Sequence, residues 1–215
     1  MLAMLRQPDL PPESVDQLSK NPAAVRSRKV RLAILEHPRT PRHVSIPLIS
    51  GLFTFDLMQL ALIPRAPADV KKLAERSLVR RLPKISAGER LSLARRASRE
   101  VAGALLLDSE KRTVAAALNN PRMTEASVIQ AVNAPAASPE LIALVCRHAV
   151  WPLRREVRIA LLRCQHTPLA RALEYAQAFP VGLMREILRT SRLAQGTKNC
   201  ILQSREGRGK AARRA

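Results

Sequence analysis

Aromatic side chains are nearly missing: Phe53, Phe55, Trp151, Tyr175 and Phe179 are all that 215 residues contain. With 47% apolar residues, the core must be built from Leu, Ala, Val and Ile. That mix suits packed helices better than a sandwich or barrel. Cysteine is as scarce. Cys146, Cys164 and Cys200 cannot all pair, so no compact disulfide framework is expected, and a reducing cytoplasm is the natural compartment. The seven glycines include no Gly-rich phosphate loop, and no G-x-S-x-G elbow is present. Long apolar runs are absent too. Val44 to Pro64 carries one charge, Asp56, but Pro47 and Gly51 interrupt it. It reads as a buried helix–turn–helix rather than a membrane span. Pro8, Pro11 and Pro12 leave no signal-peptide apolar region at the start.

Acid is the last shortage, with 17 Asp and Glu against 37 Lys and Arg, for a net +20. The carboxylates Asp56, Asp69, Glu100 and Glu156 are isolated along the chain and suggest no acid/base pair. A surplus of this size attracts polyanions such as nucleic acid or acidic proteins. Of the 37 cations 29 are Arg. Codon bias accounts for Arg in place of Lys, but not for the excess itself.

What is present is a recurring phrase. It reads Val30-Arg31-Leu32-Ala33, Met58-Gln59-Leu60-Ala61, Val101-Ala102-Gly103-Ala104, Val114-Ala115-Ala116-Ala117 and Val157-Arg158-Ile159-Ala160. Ala lets neighbouring helix backbones approach, and the flanking aliphatics fill the groove. One helix pair cannot bury both apolar faces, so pairs must stack. Helix starts are marked by Thr40-Pro41, Ser138-Pro139 and Thr167-Pro168, read as a capping hydroxyl before Pro. Ser86-Ala87-Gly88-Glu89 forms a capping box. Pro38-Arg39-Thr40-Pro41 and Pro64-Arg65-Ala66-Pro67 share P-R-x-P at a separation of 26. Val70, Ala74 and Leu78 make an apolar stripe opposite Lys72, Arg76 and Arg80. The reading is about 12–14 short helices with no strand, over one domain at 1–204. A basic tail without an apolar stripe, expected to be disordered, follows at 205–215.

Val30-Arg31-x-Ala33, Val157-Arg158-x-Ala160 and the turns His37-Pro38-x-Thr40-Pro41 and Asn120-Pro121-x-x-Thr124 give a resemblance to helical-repeat proteins. The chain resembles the HEAT-like and leucine-rich-repeat-variant families over roughly residues 20–190. The resemblance implies an all-α, right-handed α-solenoid of about six to seven degenerate helix pairs. It also implies a binding scaffold without catalysis or cofactor. The N-terminal Cys cluster that some leucine-rich-repeat-variant proteins use for iron–sulfur binding has no counterpart before Cys146.

The strongest functional signal is a basic patch. Lys71, Lys72, Arg76, Arg80, Arg81, Lys84, Arg90, Arg95, Arg96 and Arg99 share a stretch with only Glu75 and Glu89 as acids. Stacked helices would line such charges into a strip that tracks phosphates, so an acidic protein or a nucleic-acid backbone is the expected partner. The aromatic shortage points toward duplex or structured RNA rather than base stacking. A second reading is a HEAT-like enzyme of the alkylbase DNA glycosylase type, with Trp151 and Glu156 as its aromatic–acid pairing. Cys146-Arg147-His148 and Cys164-Gln165-His166 carry zinc-ligand residue types. Their i, i+2 spacing points them to different sides of a helix, so no metal is expected.

Overall fold

The computed structural model describes residues 1–211, with backbone alone for Ala24 and 205–211. The described residues hold fifteen α-helices, four 3-10 turns and no strand. They cluster into two units, Met1–Val101 and Ala102–Ala215. The expected tail begins inside the last helix, and 212–215 lie outside the described residues.

The first unit contains α1 (Pro12–Lys20), α2 (Pro22–Arg26), α3 (Arg28–Glu36), α4 (Arg42–Ser50), α5 (Thr54–Leu62), α6 (Ala68–Arg81) and α7 (Ala87–Arg96). The boundary between the units falls within α8 (Arg99–Ala104). The second unit contains α9 (Lys111–Leu118), α10 (Glu125–Asn133), α11 (Pro139–Arg147), α12 (Arg155–Arg163), α13 (Leu169–Gln177), α14 (Val181–Arg189) and α15 (Gln195–Ala211). The low-charge stretch is the expected helix–turn–helix, formed by α4 and α5. Among the described residues no helix is long and apolar enough to cross a membrane.

Packing is local and regular. In the first unit α1 packs on α3, α3 on α5, and α4 on α6. In the second, α9 packs on α11, α10 on α12, α12 on α14, and α13 on α15. Several helices two places apart thus pack on one another, alongside the adjacent pair α5 and α6. The core is aliphatic, with Ile34, Leu35, Leu57, Leu60, Leu78 and Leu93 fully buried in the first unit. Leu105, Leu106, Leu141, Ile142 and Leu161 play that part in the second. Each such side chain contributes about 1.5–3 kcal/mol by leaving water. In the recurring phrase Ala61, Ala117 and Ala160 are buried as expected. Ala33 and Ala104 are only half-buried. Ala33 instead lines a groove, together with Leu2, Leu5 and Pro8 of the segment before α1.

One turn is built six times. Its first residues are Gln7, His37, Ile63, Asn120, Ala134 and Cys164. In each copy the first N–H closes on the helix or turn before it, and its carbonyl accepts from the N–H three residues on. The fourth residue is buried every time: Leu10, Thr40, Ala66, Met123, Ala137 and Thr167. Pro fills the second position in five copies, from Pro8 to Pro135, where its fixed φ suits a β-turn. The side chains of His37 and Asn120 also accept from the amides of Arg39 (3.2 Å) and Arg122 (2.7 Å).

The expected caps divide. Ser138 accepts from the Leu141 amide at 3.1 Å, and Ser86 with Glu89 completes the capping box. Thr40 and Thr167 do not cap forward; Pro41 and Pro168 occupy the N-cap. Their hydroxyls donate backward, to the Ile34 and Leu161 carbonyls six residues upstream. Each adds a second donor to a carbonyl that already accepts the His37 or Cys164 amide, because burial of the threonine leaves its hydroxyl no route to solvent.

Side-chain bonds tie segments separated by about 30 residues. His37 Nε2 donates to the Gln7 carbonyl at 2.9 Å, a separation of 30 residues. Arg39 reaches the Asp9 carbonyl, also 30 residues away. In the second unit Trp151 Nε1 donates to the Leu118 carbonyl across 33 residues, and Ser191 to the Leu162 carbonyl across 29. Arg192 reaches the Asn133 carbonyl across 59 residues, close to two such intervals.

Candidate functional site

The stretch from Lys71 to Arg99 lies in the first unit on α6, the 3-10 turn Leu82–Lys84, α7 and the start of α8. On α6, Val70, Ala74 and Leu78 are buried, as the periodicity predicts. Lys72, Arg76 and Arg80 are exposed on the opposite face. Four residues advance a helix about 6 Å, so this row spans about 12 Å. None of the three makes an ion pair or hydrogen bond among the described residues. The acids of the same helix are Asp69, exposed in its first turn, and Glu75, half-buried.

Other members of the patch are committed to the fold. Lys71 Nζ donates to the Pro64 carbonyl at 2.9 Å. Arg81 donates to the Leu52 carbonyl at 2.5 Å and the Ser50 carbonyl at 2.7 Å. Arg90 donates to the Ile85 carbonyl at 3.0 Å. These cations satisfy carbonyls at turns and helix ends, where positive charge also suits the helix dipole. Lys84, Arg95, Arg96 and Arg99 are exposed. Arg95 and Arg96 sit in the last turn of α7, where the helix dipole favours a cation. The ten residues are thus a mixture of structural clamps and exposed charge, and the α6 row is its ordered part.

The same use of Arg recurs outside the patch. Arg31 donates to the Gly51 carbonyl at 3.1 Å, and Arg158 Nε donates to the Pro152 carbonyl. Both arginines of the recurring phrase are therefore structural. Arg28 Nε donates to Asp56 Oδ1 at 2.9 Å. Asp56 is fully buried in the first turn of α5, and its Oδ2 has no hydrogen-bond partner. Asp16 is held below the usual carboxylate range by hydrogen bonds from Lys20 and His43. Glu89 is lowered by the Ser86 amide and hydroxyl, with a smaller contribution from Thr54.

The sequence pattern missed two aromatic rings. Phe53 is 65% exposed and Phe55 44%. Phe53 is the N-cap residue of α5 and follows Leu52, whose carbonyl Arg81 holds. A groove of about 700 Å³ also opens in this unit, lined by Leu2, Leu5, Leu32, Arg6, Lys29 and Arg65 among others.

The remaining candidates fall in the second unit. Trp151 is buried, with its indole committed to Leu118. Glu156 is exposed and paired with Arg155 at 2.8 Å. Cys146 and Cys164 are buried at the ends of α11 and α12. Burial pushes the Cys146 thiol up, which keeps it protonated and unreactive at neutral pH. His148 Nδ1 accepts from the Val150 amide at 3.1 Å, and burial lowers its pKa. Among the described residues no three His, Cys, Asp or Glu side chains come together as metal ligands do.

No family model, curated protein or solved structure matches the chain.

Proposed function

We propose that this protein is a non-enzymatic helical-repeat scaffold of the α-solenoid type whose α6 face binds a nucleic-acid backbone. The repeat reading is supported by the turn built six times, by ties at about 30-residue intervals, and by packing between helices two places apart. Resemblance to HEAT-like and leucine-rich-repeat-variant proteins points the same way.

The binding reading is carried by one observation: Lys72, Arg76 and Arg80 form an exposed, unpaired row in a stretch whose other cations include carbonyl clamps. Surface ion pairs contribute only about 0–1 kcal/mol, and this row forgoes even that. Phosphates supply what the row lacks, and charge alone suffices for backbone contact. An acidic protein partner is the less favoured occupant. Protein interfaces centre on an apolar anchor, and α6 exposes no large apolar residue.

The test is fluorescence anisotropy of a labelled 30-nucleotide probe with the full chain. The Lys72→Glu/Arg76→Glu/Arg80→Glu variant should lose binding, and poly-glutamate should compete poorly. Equal binding by the variant, or tighter binding to poly-glutamate than to nucleic acid, would overturn the reading.

A further inference from the structure

Phe53 and Phe55 are two of only five aromatic residues, and they are exposed in a chain with few large side chains to spare. The backbone that carries Phe53 is held firmly. Arg31 binds the Gly51 carbonyl, and Arg81 binds those of Ser50 and Leu52. The Phe53 carbonyl accepts from the Leu57 amide at 3.0 Å as α5 begins. The ring is therefore presented on a turn fastened at three successive carbonyls, with little backbone freedom left to lose on binding.

The position of Arg81 links this ring to the cationic row. Arg81 is the last residue of α6 and directly follows Arg80, the end of the row. The row thus terminates where the α4–α5 turn is clamped. A cationic track ending at an exposed aromatic face matches the chemistry of an unpaired strand: phosphates along the row, a base on the ring. Duplex bases are stacked on each other and offer no face to Phe53. Two acids belong to this junction: Asp56 is buried against Arg28, and the Glu89 carboxylate is engaged by Ser86 and Thr54.

Building on the function proposed above, we infer that the partner is a single-stranded nucleic acid, with Phe53 stacking on an unpaired base at the C-terminal end of the Lys72–Arg76–Arg80 row. This departs from the duplex preference that the aromatic shortage suggests, because the number of aromatics says nothing of which ones face water.

The experiment compares the full chain, Phe53→Ala, Phe53→Trp and the triple Glu variant on dT20, rU20 and a 20-base-pair duplex. The wild type should favour the single strands. Phe53→Ala should weaken single-strand binding about 10-fold and leave the duplex within about 2-fold, while Phe53→Trp should restore binding. A preference between dT20 and rU20 would identify the sugar. Far-UV circular dichroism checks that the exposed substitutions leave the fold intact. Unchanged single-strand affinity in Phe53→Ala, an equal loss on duplex, or a wild-type preference for duplex would each overturn the inference. If the triple variant still loses binding in those cases, the α6 reading survives. If the triple variant binds every probe as the wild type does, that reading fails with it.

Discussion

Helices α6 and α12 look alike in sequence, each with an apolar stripe and cations off it, yet the outer row of α6 is used differently from Arg155 and Arg158 of α12. On α12, Arg155 pairs with Glu156 and lies 6.0 Å from the Phe179 ring centre. Arg158 donates to the Pro152 carbonyl and lies 6.0 Å from the Tyr175 ring centre. On α6, Lys72, Arg76 and Arg80 meet nothing among the described residues. The difference teaches that a basic surplus is not itself a binding surface. A cation seated on a carbonyl or ring is already spoken for, and only the remainder is available to a partner.

The largest expected effect breaks this comparison outright. Reversing Lys72, Arg76 and Arg80 to Glu should lower nucleic-acid affinity at 0.1 M salt by roughly 100-fold or more, since about three phosphate contacts are lost. Arg155→Glu on α12 should leave affinity within about 2-fold, because its charge is spent locally. Loss of binding in both would erase the distinction.

Next comes a contrast between a buried and an exposed carboxylate, each paired with an exposed arginine. Arg28→Ala strands the buried Asp56 carboxylate and should destabilise the fold by about 2 kcal/mol in urea denaturation, the arginine itself being exposed. Glu156→Ala breaks an exposed pair and should cost less than about 1 kcal/mol. Similar losses would show that Asp56 finds another partner.

Arg158→Ala should cost about 1–2 kcal/mol, from one carbonyl bond and one ring contact. Arg76→Ala should stay within about 0.5 kcal/mol. These two variants separate clamp from free charge directly, with thermal unfolding as the readout.

The smallest effect is a pH dependence. Burial depresses the folded-state pKa of His148 below 6.5, its ordinary value. The stability it contributes is present above the unfolded pKa and lost as pH falls through the folded one. A modest drop in Tm between pH 7 and 5 should follow, and His148→Gln should remove it. The lowered Asp16 and Glu89 act the same way only further into acid, below their ordinary 3.8 and 4.5.

Much of the architecture was legible because Pro and caps act locally. The P-R-x-P match marks two of the six turns, and the Ser86–Glu89 box formed as read. Thr40 and Thr167 were misread for a physical reason: a hydroxyl before Pro reaches equally well forward to an amide or back to a carbonyl, and only burial decides. The cations were legible as a group, but not which ones were clamped. Arg81 finds its carbonyls about 30 residues away, beyond any local pattern. Phe53 was hidden by its setting, since a Phe within an uncharged run reads as core until the turn that exposes it is seen.

The central claim is that the α6 row is free to meet phosphates. The salt dependence of binding tests it most directly, through the slope of log affinity against log salt for the wild type and for Lys72→Glu/Arg76→Glu/Arg80→Glu. Releasing counterions at three phosphates should make the wild-type slope steeper by about 2.1 on a single strand, or about 2.7 on a duplex. Parallel slopes would show that the row contacts no phosphate, and would contradict the account.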